Sequence, residues 1–90
     1  MKQFDVGVFF LPSIGTRAQM EAGMAGRDPA LYSAMLADIR ELAITADGLG
    51  YDAIAFTEHH FHIEGFEISN NPVLLDAFVS QHTKRIRVGQ

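Results

Sequence analysis

Cysteine is absent from this chain of 90 residues, so disulfides and thiolate chemistry are excluded and nothing indicates an oxidising compartment. Long apolar runs are absent as well, because no stretch approaches the ~20 apolar residues that a membrane span requires. The first apolar run, Val6 to Leu11, follows Asp5 and is too short for a signal peptide. We therefore expect a soluble cytoplasmic protein with no membrane partner.

Basic residues are also few, with 7 Lys and Arg against 11 Asp and Glu and a formal net charge of −4. A phosphate-binding face needs clustered basic side chains, and the one cluster here is Lys84, Arg85 and Arg87. We expect this cluster to lie in a solvated turn and expect no nucleic-acid partner. The 48% hydrophobic content fits one small globular domain with a modest core.

Three apolar segments predict parallel strands. Residues Phe4 to Leu11 are almost continuously apolar and end at Pro12, as in a strand that is buried on both faces. The second strand begins at Tyr51-Asp52, and the third runs from Ile86 to Gly89.

Two helices are predicted between these strands. Asp28-Pro29 is typical of a helix N-terminus, and Gly48 and Gly50 are typical of its end. Its apolar positions are Tyr32, Met35, Ile39, Leu42, Ala46 and Leu49. Asn71-Pro72 begins a second helix. Its predicted apolar side consists of Leu74, Leu75, Phe78, Val79 and His82.

The predicted order is therefore β-α-β-α-β, which is an α/β fold with a parallel sheet and right-handed crossovers. Residues 13–28 are predicted to be a long variable loop on the active side of this sheet. Its Gly and Met content fits a lid and a mobile insertion equally well.

The densest group of acid and base side chains is Thr57-Glu58-His59-His60-Phe61, directly after the second apolar strand. Catalytic groups of strand-helix repeats lie at the carboxyl ends of strands. Side chains alternate along a strand, so His59 shares a face with the small residues Ala53 and Ala55, which we expect inside a barrel. His59 is the first candidate for catalysis, and Glu58 and His60 are the next two.

Histidine suits proton transfer because its ordinary pKa, ~6.5, lies near neutral pH, and we expect the neighbouring Glu58 to orient His59. A metal site is the alternative, since His60 and His62 are two residues apart and Glu58, His59 and Glu64 lie close by. No later cluster of ligands closes such a site, so we predict that no metal is bound.

Five short motifs occur in order along the chain: Phe9 to Pro12, Leu49 to Asp52, Glu58 to Phe61, Asn71-Pro72, and Thr83 to Gly89. Together they resemble the N-terminal part of bacterial luciferase-like flavin-dependent monooxygenases. The resemblance extends over the whole chain, residues 1–90, apart from the variable loop.

The resemblance implies a (β/α)8 TIM barrel, of which these residues form the N-terminal part only, because a full barrel takes ~250 residues. It implies reduced FMN from a separate reductase, with F420 as the alternative cofactor, and O2 with an aldehyde or another organic substrate. It makes His59 the catalytic histidine and places Phe9 and Gln90 near the flavin.

We expect the 90 residues alone to be inactive and to self-associate, as a dimer or larger species, through their open sheet edges. Two further functions stay open at this stage. One is a non-catalytic module that binds a partner or is completed by one. The other is a metal-dependent hydrolase built on His59, His60 and His62.

Overall fold

The computed structural model describes residues 4–90, so residues 1–3 of the predicted segment 1–90 lie outside the described residues. Its three strands are β1 (Gly7–Phe10), β2 (Ala53–Phe56) and β3 (Arg87–Gly89). They form a parallel sheet in the order β1-β2-β3, with helices in both connections. The predicted β-α-β-α-β order is confirmed. Within residues 4–90, no helix combines the length and the apolarity needed to cross a membrane.

Strand β1 is shorter than the predicted segment from Phe4 to Leu11. The Asp52 carboxylate accepts a hydrogen bond of 2.8 Å from the Val6 N–H, so a side chain replaces the backbone acceptor of that N–H, while the Val6 carbonyl still accepts from the Asp52 N–H at 2.8 Å. The regular ladder therefore begins one residue later, where Gly7 pairs with Ala53.

The two faces of the sheet differ in the size and burial of their side chains. Val8, Ile54 and Val88 form one row across the strands, and Ile54 and the neighbouring Phe56 are buried in the core against the helices. The opposite face carries the row Phe9, Ala55 and Gly89. This agrees with the expected alternation, in which the small residues of β2 face away from the helices.

Helix α2 spans Pro29–Gly48, and the Asp28 carboxylate caps it by accepting a hydrogen bond of 2.9 Å from the Ala30 N–H. Its buried hydrophobic residues are Met35, Ile39, Ala43 and Ala46. The prediction that Leu49 belongs to this stripe was wrong. The helix ends at Gly48, and the chain then turns through Gly50 with φ of +86°, which leaves Leu49 exposed.

Helix α3 spans Pro72–Ser80, and Asn71 caps it through a hydrogen bond of 3.3 Å from the Leu74 N–H to Asn71 Oδ1. Leu75 and Val79, four residues apart, form its buried side. Leu74 is exposed, contrary to the predicted apolar side, because it is adjacent to the buried Leu75 and points away from it. His82 is exposed as well, because α3 ends two residues before it, at Ser80.

The predicted loop 13–28 contains a short helix, α1 (Arg17–Glu21), and a 3-10 turn at Ala25–Arg27. Thr16 and Gln19 form a capping box, in which each side chain bonds the backbone N–H of the other residue. This Thr-x-x-Gln pattern was visible in the sequence and indicates a helix start. The segment is therefore partly helical.

Asp47, near the end of α2, anchors the turn that leads into β3. Its carboxylate accepts backbone hydrogen bonds from Lys84 at 2.7 Å, Arg85 at 3.1 Å and Ile86 at 2.9 Å. The Lys84 N–H is the largest cause of a lowered Asp47 pKa, and burial opposes it. This contact fixes the basic turn at the amino end of β3, opposite the edge of the sheet that His59 follows.

We predict that Asp47→Asn lowers the melting temperature at neutral pH and flattens its dependence on acid. Because the folded pKa is depressed, Asp47 contributes stability that is complete above the ordinary value of 3.8 and is lost as pH falls through the lower folded pKa. The test is thermal unfolding against pH in the protein expressed from its complete gene. The exposed Asp38 of α2 supplies the control, Asp38→Asn. An acid limb of Asp47→Asn identical to that of wild type would refute this role.

Candidate active site

The site lies in the β2–α3 loop, residues 57–71, which follows the carboxyl end of β2. Backbone hydrogen bonds of 2.8 Å join this loop to the segment after β1, from the Ile14 N–H to the Gly65 carbonyl and from the Ile68 N–H to the Pro12 carbonyl. The loop is therefore held against the rest of the fold by main-chain contacts.

His59 is paired with Glu67 across this loop. Its Nε2 contacts the Glu67 carboxylate, and its backbone N–H donates a hydrogen bond of 2.8 Å to the Ser69 carbonyl. The His59 side chain is 42% exposed and that of Glu67 is 12% exposed. A half-exposed imidazole thus stands against a largely buried carboxylate, an arrangement that can bind and release a proton.

Glu58 and His60 form a separate pair. Glu58 Oε1 and His60 Nε2 are 3.0 Å apart, and both side chains are more than half exposed. The expectation that Glu58 orients His59 was therefore wrong. In extended backbone, residues two apart lie on the same side, so Glu58 meets His60 while His59 points the other way.

His62 completes the group around His59. Its ring lies 5.1 Å from that of His59, centroid to centroid, at an interplanar angle of 29°. Its Nδ1 lies 2.7 Å from the Phe66 carbonyl, an acceptor, so Nδ1 carries the proton of this hydrogen bond. His62 therefore stacks on His59 in a fixed orientation.

The side chains that the structure brings together as possible metal ligands differ from the set that sequence spacing indicated. Ligand atoms of His59, His62 and Glu67 lie within 4.8 Å of one another. Within residues 4–90, this is the group of three side chains that could hold a metal ion. His60 belongs to the pair with Glu58 instead. The direct contact between His59 Nε2 and the Glu67 carboxylate already engages one possible ligand atom of each of these two residues.

An open pocket of about 270 Å³ lies beside the two histidines. Its other lining residues include Tyr32, Phe61, Ile63 and Ile68. Apolar and aromatic walls next to a few polar groups, here His59, His62 and Asn70, are typical of sites for organic ligands.

The predicted flavin contacts, Phe9 and Gln90, do not line this pocket. Phe9 is 65% exposed on the face that it shares with Ala55 and Gly89. Gln90 is exposed and directly follows β3. Thr57 directly follows β2, and its buried Oγ1 has no hydrogen-bond partner among the described residues.

The family model of luciferase-like monooxygenases matches residues 4–90. This chain belongs to the luciferase-like monooxygenase family. The family resemblance seen in the motifs is confirmed, and the three strands are the beginning of its barrel, which they do not close. Members of the family generally use flavin or F420. Searches among curated proteins and among solved structures gave no significant match.

Glu67 and the stacking of His62 were missed by the sequence-based prediction. Glu67 lies eight residues after His59 in irregular backbone, where no periodicity relates the two side chains. Its φ of +50° is in the left-handed region, as is that of Phe61 at +67°. Such values in residues other than glycine are found where surrounding contacts impose them, often at functional sites.

We predict that Gly65→Ala destabilises the fold by ~1–3 kcal/mol, the usual cost of imposed backbone strain. Gly65 has φ of +118°, and an added Cβ would lie 2.9 Å from the Ile14 carbonyl oxygen. Gly23→Ala is the matched control, because its φ is +83° but its Cβ would meet nothing within 4 Å. Denaturant unfolding of the protein expressed from its complete gene measures both. Equal losses in the two variants would show that the Ile14 contact is unimportant.

Proposed function

We propose that this chain supplies one wall of the active site of a flavin-dependent monooxygenase, in which reduced FMN and O2 oxygenate an aldehyde or another organic substrate. The observation that carries the proposal is His59, whose half-exposed ring follows β2, contacts the buried Glu67 carboxylate and lines a pocket with apolar and aromatic walls. A base beside such a pocket suits a reaction in which water must be kept from reactive oxygen species, with the rest of the barrel closing the pocket.

The open face of the sheet fits a flat aromatic cofactor. Ala55 and Gly89 are small, and a Cβ at Gly89 would meet nothing within 4 Å, so a ring can approach the backbone there. Phe9 offers an exposed apolar side chain on the same face, and the unpartnered Thr57 hydroxyl offers a hydrogen bond. We propose that these residues, with Gln90, contact the flavin.

Reduced flavin, when bound, supplies the electrons with which O2 places one oxygen atom in the substrate and releases the other as water. The residues of this chain do the remaining work. His59 moves a proton at a ring nitrogen, and the exposed side chains of Phe61 and Ile63, with Ile68, offer apolar surface to the substrate.

Glu58 and His60 have a different place in this proposal. Their side chains are both more than half exposed and are paired with each other, so they lie at the rim of the site rather than against the pocket. We propose that they influence the approach of substrate, while His59 alone of the three takes part in proton transfer.

The other strands of the barrel are part of the same proposal. Within residues 4–90, the three parallel strands leave both sheet edges unpaired and the face of Phe9 uncovered, so we propose that the 90 residues alone self-associate and lack activity. The cofactor choice of FMN over F420 and the supply of reduced flavin by a separate reductase are likewise proposed.

The alternative of a metal-dependent hydrolase is favoured by one observation, the grouping of His59, His62 and Glu67 ligand atoms within 4.8 Å. Two histidines and a carboxylate are a ligand set that zinc enzymes use. Stoichiometric metal in the purified protein, with hydrolysis that chelation abolishes, would favour it over oxygenation.

We predict that His59→Ala lowers oxygenation about a hundredfold or more, the usual contribution of a positioned acid or base. The assay uses the protein expressed from its complete gene, chemically reduced FMN, isotopically labelled O2 and decanal, and measures label in the product by mass spectrometry. FMN binding is followed separately by fluorescence titration.

The control is His82→Ala, because His82 is exposed after α3 and packs on Phe78. It is expected to keep full activity. Undiminished oxygenation by His59→Ala would remove His59 from the mechanism. Failure of the wild-type protein to bind either FMN or F420 would contradict the flavin proposal itself.

A further inference from the structure

We propose that Glu67 is the residue that positions His59. Its carboxylate accepts a hydrogen bond from the protonated Nε2, which leaves Nδ1 as the ring nitrogen that acts on the substrate. This inference rests on the proposed function, since it specifies how His59 performs its proton transfer. It assigns the role to a carboxylate that no sequence motif indicates, in place of the adjacent Glu58.

The chemistry of the contact determines the tautomer. An ionised carboxylate only accepts hydrogen bonds, so a neutral imidazole whose Nε2 contacts Glu67 must carry its proton on that nitrogen. Its Nδ1 then holds a free lone pair. Among residues 4–90, no hydrogen bond to the Nδ1 of His59 is formed, so this nitrogen is available to accept a proton.

Glu67 is held in place by its own backbone. Its φ of +50° is imposed by neighbours, since its N–H donates a hydrogen bond of 3.2 Å to Ser13 Oγ and the next N–H, of Ile68, donates to the Pro12 carbonyl at 2.8 Å. Its side chain is 12% exposed. The carboxylate is therefore fixed before any substrate arrives, which is what a positioning residue requires.

His59 is held from two further sides. Its backbone N–H donates to the Ser69 carbonyl at 2.8 Å, within two residues of Glu67. The His62 ring stacks on one face of the imidazole, and His62 is itself fixed by the Phe66 carbonyl. Rotation of the His59 ring away from Glu67 is thus restricted by packing as well as by the hydrogen bond.

Two competing arrangements are distinguishable from this one. Glu58 is engaged with His60 at 3.0 Å and does not replace Glu67. A cation shared by His59, His62 and Glu67 through the Nε2 of His59 would need the lone pair of that nitrogen, which cannot carry a proton and bind a metal at once. The tautomer of His59 therefore decides between the hydrogen bond to Glu67 and a metal bound at Nε2.

The experiment compares Glu67→Gln and Glu67→Asp in the protein expressed from its complete gene, with reduced FMN, O2 and decanal. Glu67→Gln is expected to lower kcat about tenfold or more while KM stays within about twofold, because the substrate pocket is intact and only the chemical step loses its positioned base. Glu67→Asp, which keeps the carboxylate, is expected to recover part of kcat. Glu41→Gln, on the exposed side of α2, is the control.

Nitrogen NMR of isotope-labelled histidine supplies a readout that a general loss of structure would not produce. The wild-type protein is expected to show His59 protonated at Nε2 and bare at Nδ1, and Glu67→Gln to show a mixture of tautomers. A wild-type ring protonated at Nδ1 would overturn the inference even if every Glu67 variant failed to fold. So would stoichiometric metal bound at His59 in the purified protein.

The outcomes for the two proposals are separable. If His59→Ala is inactive while Glu67→Gln matches wild type in kcat, the role of Glu67 is wrong and the function of His59 stands. If both variants keep full activity, the proposed proton transfer by His59 is wrong as well.

Discussion

The main-chain hydrogen bonds between the β2–α3 loop and the segment after β1 are the constraint on which the site depends. Gly65 and Ile68 are joined to Ile14 and Pro12 at 2.8 Å, and the Gly26 N–H donates to the Ile63 carbonyl at 2.7 Å. Because β1 and β2 are parallel neighbours, the segments that follow them leave the same edge of the sheet and meet there. These bonds bring Glu67 against His59 and form the pocket.

The two faces of the sheet differ in role, because one packs in the core and the other is open. The row of Val8, Ile54 and Val88 packs under the helices and holds the fold together, while Phe9 and Ala55 on the other face make no such core. Membership of the luciferase-like monooxygenase family relates this second face to the inside of a barrel that three strands only begin. The site is consequently open in this chain, and we propose that further strands complete it.

Local signals in the sequence were sufficient for much of the fold. Caps at Asp28 and Asn71 place the helix starts, and the alternation of side chains, continued past the end of β2, separates His59 from Glu58. The partner of His59 was not predictable in this way, because Glu67 reaches it through left-handed backbone and through bonds to residues more than fifty positions away. Sequence adjacency favoured Glu58, whereas extended geometry sends adjacent side chains apart.

The most direct test of the central claim is a crystal structure of the protein expressed from its complete gene with FMN bound. We expect the flavin ring to lie on the face of Phe9, Ala55 and Gly89, at the edge where His59 follows β2, with the His59 Nε2 still against Glu67. Flavin bound away from this face, or a metal ion between His59, His62 and Glu67, would contradict it.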